Sequence, residues 1–377
     1  MAIGGIGRIR WTAGTVIGVA IVAIAVLLAA FAGAPPHGRR LYVYNWADFI
    51  GSDTLERFER ETGIQVVYDT YDAEETMEAR LLAGGSGYDV VSASNNFFAR
   101  EIKAGVYQPL DRRRLPNWRN LDPRALDVQA QSDPGNRHAV PYLHAVNGFA
   151  YNVDLIRERM PDAPLDSLDM LFKPEVVKRF ADCGVSFLDS PDDTLQLALA
   201  YLHLDPNSHR REDFEAAQRL LLAVRPYIRT FDSTEYMNGL ANRELCIAMS
   251  WSGDYANIMA RAREAGVPVH LAFTVPKEGA NLTFSSLLIP ADAPHPAEAH
   301  EFLNFILRPD VIASISNEIY YGNDNRAADP LVNPAIRNDP AIYPTDAIRA
   351  RLYPTTEMDI DTQRLRTRIW TRIKTGT

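Results

Sequence analysis

Past an apolar N-terminal stretch, the chain alternates between short aromatic or β-branched runs and amphipathic segments of about three turns. Leu41-Tyr42-Val43-Tyr44-Asn45-Trp46 has the composition of a strand. Asp53-Thr54-Leu55-Glu56 opens a helix in the manner of a capping box, and Gly63 is its natural stop. Ile64 to Tyr68 predicts a second strand. Ala73 to Ala83 predicts a helix with Met77 and Leu81 on one face, and after the turn Gly84 to Gly87 the run Tyr88-Asp89-Val90-Val91 predicts a third strand. This β-α-β-α-β order implies an α/β lobe with parallel strands. A helix from Asn96 to Lys103 and a stretch containing Pro109, Pro116 and Pro123 follow. A second lobe is expected from about Val146, with Ala150-Tyr151-Asn152-Val153, helices over Pro174 to Phe180, Thr194 to Leu204 and Phe214 to Val224, and strand-like runs after Cys183 and around Cys246. Thr283 to Ile289 reads as a strand, with helices over Pro296 to Leu307 and Arg364 to Lys374. The expected division is 40–145 plus about 270–322 for the first lobe, and 146–269 plus about 323–377 for the second. Two lobes joined by more than one crossing leave a cleft, and clefts at strand C-termini are where α/β proteins bind ligands.

The N-terminus sets the compartment. Arg8 and Arg10 precede an uncharged run from Trp11 to Ala30, then Ala30-Phe31-Ala32 and Gly33, which is the order of a secretory signal peptide. A run of this length can also span a bilayer. Residues 1–32 are therefore a signal peptide or an N-terminal membrane anchor, with 12–32 as the tether in the second case. Either way the body is placed outside the cytoplasm. No cysteine lies directly after the apolar run, so a lipoprotein linkage is not available.

Composition narrows the class. The 377 residues allow two or three domains, and 46% hydrophobic with 23% charged residues is ordinary for a globular protein. Lys plus Arg number 39 against 48 Asp plus Glu, a formal charge of -9, which argues against nucleic acid and is compatible with a cationic partner. Cys183 and Cys246 are the two cysteines, too few for a zinc ribbon or an iron–sulfur scaffold. In an oxidising compartment they can persist as one disulfide or as two separate buried thiols. There is no Gly-x-Ser-x-Gly elbow, His-Glu-x-x-His, phosphate loop or dinucleotide fingerprint. Asp192 and Asp193 follow Ser190-Pro191 and suit a helix N-terminus as well as acid–base chemistry. No catalytic site, metal site or cofactor is expected. One arrangement does recur: Trp46 is followed by Ala47-Asp48-Phe49, and Trp251 by Ser252-Gly253-Asp254. Each time, the end of a strand delivers an indole and then a carboxylate.

From Tyr44-Asn45-Trp46-Ala47-Asp48-Phe49-Ile50 onward the chain resembles the periplasmic polyamine-binding proteins, receptors of putrescine/spermidine ABC importers, and most of all their putrescine-receptor branch. The likeness runs from about Leu41 to Lys374 through Glu61-Thr62-Gly63-Ile64, Ala104-Gly105-Val106-Tyr107-Gln108-Pro109-Leu110-Asp111, Cys183-Gly184-Val185-Ser186-Phe187-Leu188-Asp189, Pro276-Lys277-Glu278-Gly279-Ala280 and Leu307-Arg308-Pro309-Asp310-Val311. It implies a two-lobed type II periplasmic-binding-protein fold, hinge closure on a small cationic amine, delivery to an inner-membrane permease, a monomer without catalysis, and a disulfide joining Cys183 and Cys246. Matching positions imply that Trp46 and Trp251 line the ligand, with Phe49 where the family usually has tyrosine. Asp48, Asp193 and Asp254 fall on acidic positions, Ser94 and Tyr321 on hydroxyl positions, and Ala47 where serine is common. Two further positions depart from the family pattern in ways that change the chemistry. Thr283 replaces a wall aromatic, and Ser285 replaces an aspartate that receives ammonium. Other readings are a receptor of the same fold for a non-polyamine ligand, admitted by these two changes, and an anchored sensory protein.

Overall fold

A computed structural model describes residues 38–47 and 49–376. The leader and Asp48 lie outside the described residues.

The first strands and helices follow the expected order. They are β1 (Arg40–Trp46), α1 (Thr54–Thr62), β2 (Gln65–Tyr71), α2 (Glu74–Leu82), β3 (Val90–Ser94) and α3 (Asn95–Lys103). β1 lies between β2 and β3, parallel to both. Gly63 ends α1 in the left-handed region at φ 73°, where its N–H reaches the Glu59 carbonyl, a conformation that costs glycine nothing. The start of α1 differs from the capping-box expectation. Asp53 has helical backbone, φ -92° and ψ -8°, instead of the extended backbone from which a capping side chain reaches the first turn, and it caps nothing.

β4 (Ala139–Asn152) is buried along its whole length. The second half of the chain then supplies β5 (Val185–Phe187), α4 (Pro191–Tyr201), α5 (Arg211–Val224), β6 (Thr230–Phe231), β7 (Ile247–Trp251), α6 (Ser252–Glu264), β8 (Leu271–Thr274) and β9 (Ala280–Leu288). After these come α7 (Pro296–Ile306), α8 (Pro309–Ile319), β10 (Gly322–Asn323), β11 (Leu352–Pro354) and α9 (Ile360–Thr375).

Two strands join the lobes. Up to Val146, β4 runs antiparallel to β9; from Asn147 it pairs instead with β7 and β8. β9 likewise lies between β3 and β4, with Leu282 and Phe284 in one apolar core and Leu287 and Leu288 in the others. The core of the second lobe gathers Phe149, Phe172, Phe187, Phe214 and Met249 with Ile369 and Ile373 of α9. That of the first is built on Leu41, Phe58, Tyr142, Phe302 and Ile315. Packing departs from the expected division at two places. β8 pairs with the second-lobe half of β4, and Leu271 and Val275 pack in the second-lobe core rather than the first. Ala328, Val332, Ile336 and Ile342, expected in the second lobe, pack in the first-lobe core, because β10 turns this segment back against Leu143 and His144.

Cys183 and Cys246 form a disulfide, their Cα atoms 5.5 Å apart across a sequence separation of 63. The bond ties the residue before the Gly184 bend to the entry of β7. Cys183→Ser removes a constraint on a long loop of the unfolded chain and is expected to cost about 4 kcal/mol. A lowered urea midpoint with a slope as steep or steeper, since the unfolded chain expands when the link is lost, checks this; an unchanged midpoint would contradict it.

Candidate functional site

The parallel strands of each lobe end at one cavity of about 320 Å³ between the lobes, near the small end for ligand sites. β1 delivers Trp46 and Ala47 to it, and Phe49 follows; β3 delivers Ser94; β7 delivers Trp251; the first turn of α4 supplies Asp193 and that of α6 Asp254. Thr283 and Ser285 of β9 and Tyr321, just past α8, complete the set. The described residues expected to face a ligand all line this cavity. Asp48 lies outside the described residues.

Local rules explain why these side chains converge. Ser190 caps α4 by accepting from Asp193 N–H at 3.3 Å, which holds the first helical turn at the cavity. α8 ends at Tyr320, a non-glycine residue with φ 63°, whose N–H closes on the Ser316 carbonyl. The turn there presents Tyr321. Its ring lies against the backbone of Gly253, where an added Cβ would fall 2.2 Å from the ring. Glycine is required at 253 by this close approach, between the Trp251 wall and the Asp254 carboxylate.

The walls are aromatic. Trp46 is backed by Tyr71 at 4.6 Å between centroids, and Phe49 packs edge-on to Tyr321 at 5.0 Å and to Tyr142 at 5.8 Å. The floor is acidic. Asp254 accepts 2.6 Å hydrogen bonds from the hydroxyls of Tyr236 and Tyr321, and Asp193 accepts one of 2.7 Å from Asn281 Nδ2. Burial pushes both carboxyls above the ordinary aspartate range; the tyrosine hydroxyls oppose this at Asp254 and Asn281 opposes it at Asp193, with Arg261 also favouring the ionised Asp254 by its charge. Burial next to Asp254 drives the Tyr236 and Tyr321 phenols well above their usual value, so both remain donors at neutral pH. The Tyr321–Asp254 bond also joins the first lobe to the second. Asn96 donates to Asp192 across the same cleft at 2.7 Å.

Sequence reasoning missed several lining residues: Glu74, Asn96, Tyr71, Arg261 and Asn281, together with Asp192, which it treated as a helix-terminal acid. Glu74 had one usable signal, an acid at the start of a helix that follows a strand. The others carry no local pattern, because their neighbours in the cavity are distant in sequence.

Residues 53–345 match the family model described as bacterial extracellular solute-binding protein. The chain belongs to that family. It is 45% identical to the putrescine-binding periplasmic protein PotF of Escherichia coli over 97% of this chain and 98% of that protein. It is 48% identical to the putrescine-binding periplasmic protein SpuD of Pseudomonas aeruginosa over 89% and 92%. Among solved structures, the spermidine/putrescine ABC transporter substrate-binding protein PotD of Streptococcus pneumoniae superimposes with a TM-score of 0.76 at 25% identity, covering 90% of this chain and 99% of that one. The fold is the two-lobed α/β fold of these binding proteins.

The raised carboxyls fix a sign for the unliganded protein. A folded-state pKa above that of the unfolded chain means that the folded state binds more protons in the interval between the two values, so stability falls as pH rises through it. Asp254→Asn is expected to raise the melting temperature of the unliganded protein at pH 7 and to flatten its pH dependence just above the ordinary carboxylate range. A lower melting temperature with the same pH slope would contradict a destabilising buried charge.

Proposed function

We propose that this protein is a periplasmic receptor that captures an aliphatic di- or polyamine between its lobes and presents it to an ABC permease in the inner membrane. One observation carries the reading. Asp193 and Asp254 are buried in a cavity walled by two indoles, and the hydrogen bonds they accept come from uncharged donors. A carboxylate in such a place is costly until a cation joins it. An alkyl diammonium supplies cations at both ends and methylenes that pack on tryptophan between them. The names of the relatives, putrescine-binding and spermidine/putrescine-binding, support this ligand class, and the leader of the sequence together with the periplasmic relatives supports export. The carboxylates act here by attraction, without bond making or breaking.

In this reading the hinge comprises the crossing of β4 at Val146–Asn147, the approach to β9, and the return around β11. The ligand shifts an open–closed equilibrium toward closure, because the first lobe contributes Trp46 and Ser94 while the second contributes Trp251, Asp193 and Asp254. Only the closed form brings both sets to one molecule. The ammonium competes with the Tyr236 and Tyr321 hydroxyls for Asp254, exchanging a neutral donor for a charged one, and charge-assisted bonds are about twice as strong. A single chain builds the whole cavity, so receptor function needs no second copy.

Calorimetry on the exported protein with putrescine, cadaverine, agmatine and spermidine tests the reading; binding to at least one is expected. No heat and no thermal shift with any of them would overturn it. Trp251→Ala is expected to weaken the bound amine by about 2 kcal/mol, roughly 30-fold, through loss of a desolvated cation–aromatic contact. An unchanged affinity would remove Trp251 from the site.

A further inference from the structure

Ser285 is an uncharged position where the resemblance implies an acid, yet a carboxylate stands beside it from another element. The β3–β9 ladder places Ser94 opposite Ser285. Glu74, the first residue of α2, accepts from Ser94 N–H at 2.6 Å and contacts the Ser94 hydroxyl with its second oxygen. Glu74, Ser94 and Ser285 all line the cavity, and Glu74 is only 8% exposed. We propose that Glu74 is the carboxylate that receives the ligand's second ammonium in this chain, taking over from the neighbouring strand the role that Ser285 cannot fill and selecting diamines over monoamines. The proposal rests on the amine-receptor reading above.

The hydrogen bonds at Ser94 indicate how this site is set before ligand arrives. The Ser94 hydroxyl lies within bonding distance of Glu74 and, at 2.7 Å, of the Asn96 side-chain oxygen. Both are acceptors when Glu74 is ionised, and a hydroxyl has one hydrogen. Protonated Glu74 donating to Ser94, with Ser94 donating to Asn96, satisfies all three groups. Asn96 passes the chain on to Asp192 through its amide nitrogen. Burial pushes the Glu74 carboxyl up to about 8, opposed by its two bonds from Ser94 and assisted by the charges of Glu101 and Glu75. The other titratable groups around it are Tyr71 on β2, Arg100 on α3, and Tyr107. Glu101 is itself pushed up to about 7 by burial. At pH 7 the empty cleft therefore holds Glu74 mostly neutral. An arriving ammonium favours the ionised form, and the Glu74 proton leaves to solvent as the N–H···O bond forms. The acid would be a switchable partner, neutral when the cleft is empty and charged when it is filled.

Titration calorimetry of the exported protein with putrescine and with butylamine, in two pH 7 buffers of different ionisation enthalpy, tests this. Wild type should prefer putrescine and release close to one proton more with it than with butylamine. Glu74→Gln should lose roughly tenfold or more in putrescine affinity, the scale of a hydrogen bond to a charged group, with little change for butylamine, and should lose the extra proton. Glu74→Gln with Ser285→Asp should regain the putrescine preference. Equal losses for the two amines, or an unchanged putrescine affinity and proton count in Glu74→Gln, would overturn the proposal. So would the absence of extra proton release in wild type, a measurement that does not depend on the variant folding. A wild type that binds no amine would instead reject the receptor reading itself.

Discussion

Removing a carboxylate from water costs several kcal/mol unless charge or strong donors replace the lost hydration, and this cleft does so at Asp193 and Asp254. The rest of the site can be understood as a response to that cost. Tyr236 and Tyr321 cover the two oxygens of Asp254, and Asn281 covers one of Asp193. These donors are adequate for an empty cleft and inferior to an ammonium. The hydrogen bonds these two acids accept come from uncharged donors, with Arg261 adding only its charge at Asp254, where the aromatic walls could also hold an alkyl chain.

The scaffold places this imbalance where motion can use it. β4 and β9 each run through both lobes, so the two cores share continuous strands while the flanking parallel strands belong to one lobe or the other. Strand ends from both lobes open on the same cavity. Tyr321, turned in by the left-handed Tyr320 and seated against Gly253, touches Asp254 from the opposite lobe. In the proposed reading, a group that links the lobes is thus also the group that an ammonium displaces, which couples binding to the relation between the lobes. On the other side, the disulfide and α9, whose Trp370 and Lys374 hold Asp189 at 3.0 and 2.9 Å, brace the second-lobe strands beneath the acids.

The alternating periods in the chain made the first lobe legible almost element by element, because strands and helices there are local and their turns carry glycine. The Trp-x-Asp and Trp-x-x-Asp segments pointed to the cavity for the same reason: strand, indole and acid are consecutive. The sequence misled where long-range pairing decides. Nothing local distinguishes residues 328–342 as first-lobe or second-lobe; the short antiparallel β10–β4 pairing does. The capping box at Asp53 failed because Asp53 is itself helical in backbone, inside a turn that Gly51 and Thr54 already close.

Ser285 shows most sharply where local inference stops. The resemblance implies an acid on β9 at position 285, and β9 contains no Asp or Glu. The ladder that sets Ser94 against Ser285, and the helix start that sets Glu74 against Ser94, bring a carboxylate to the same neighbourhood from a residue more than 200 positions earlier. The sequence by itself determined the class of fold, the indoles and the acids that follow them, since each is written in short-range periodicity and residue type. Only the tertiary structure decided which charges share a cavity, because electrostatic partnership depends on distance through space and burial, and neither is a function of separation along the chain.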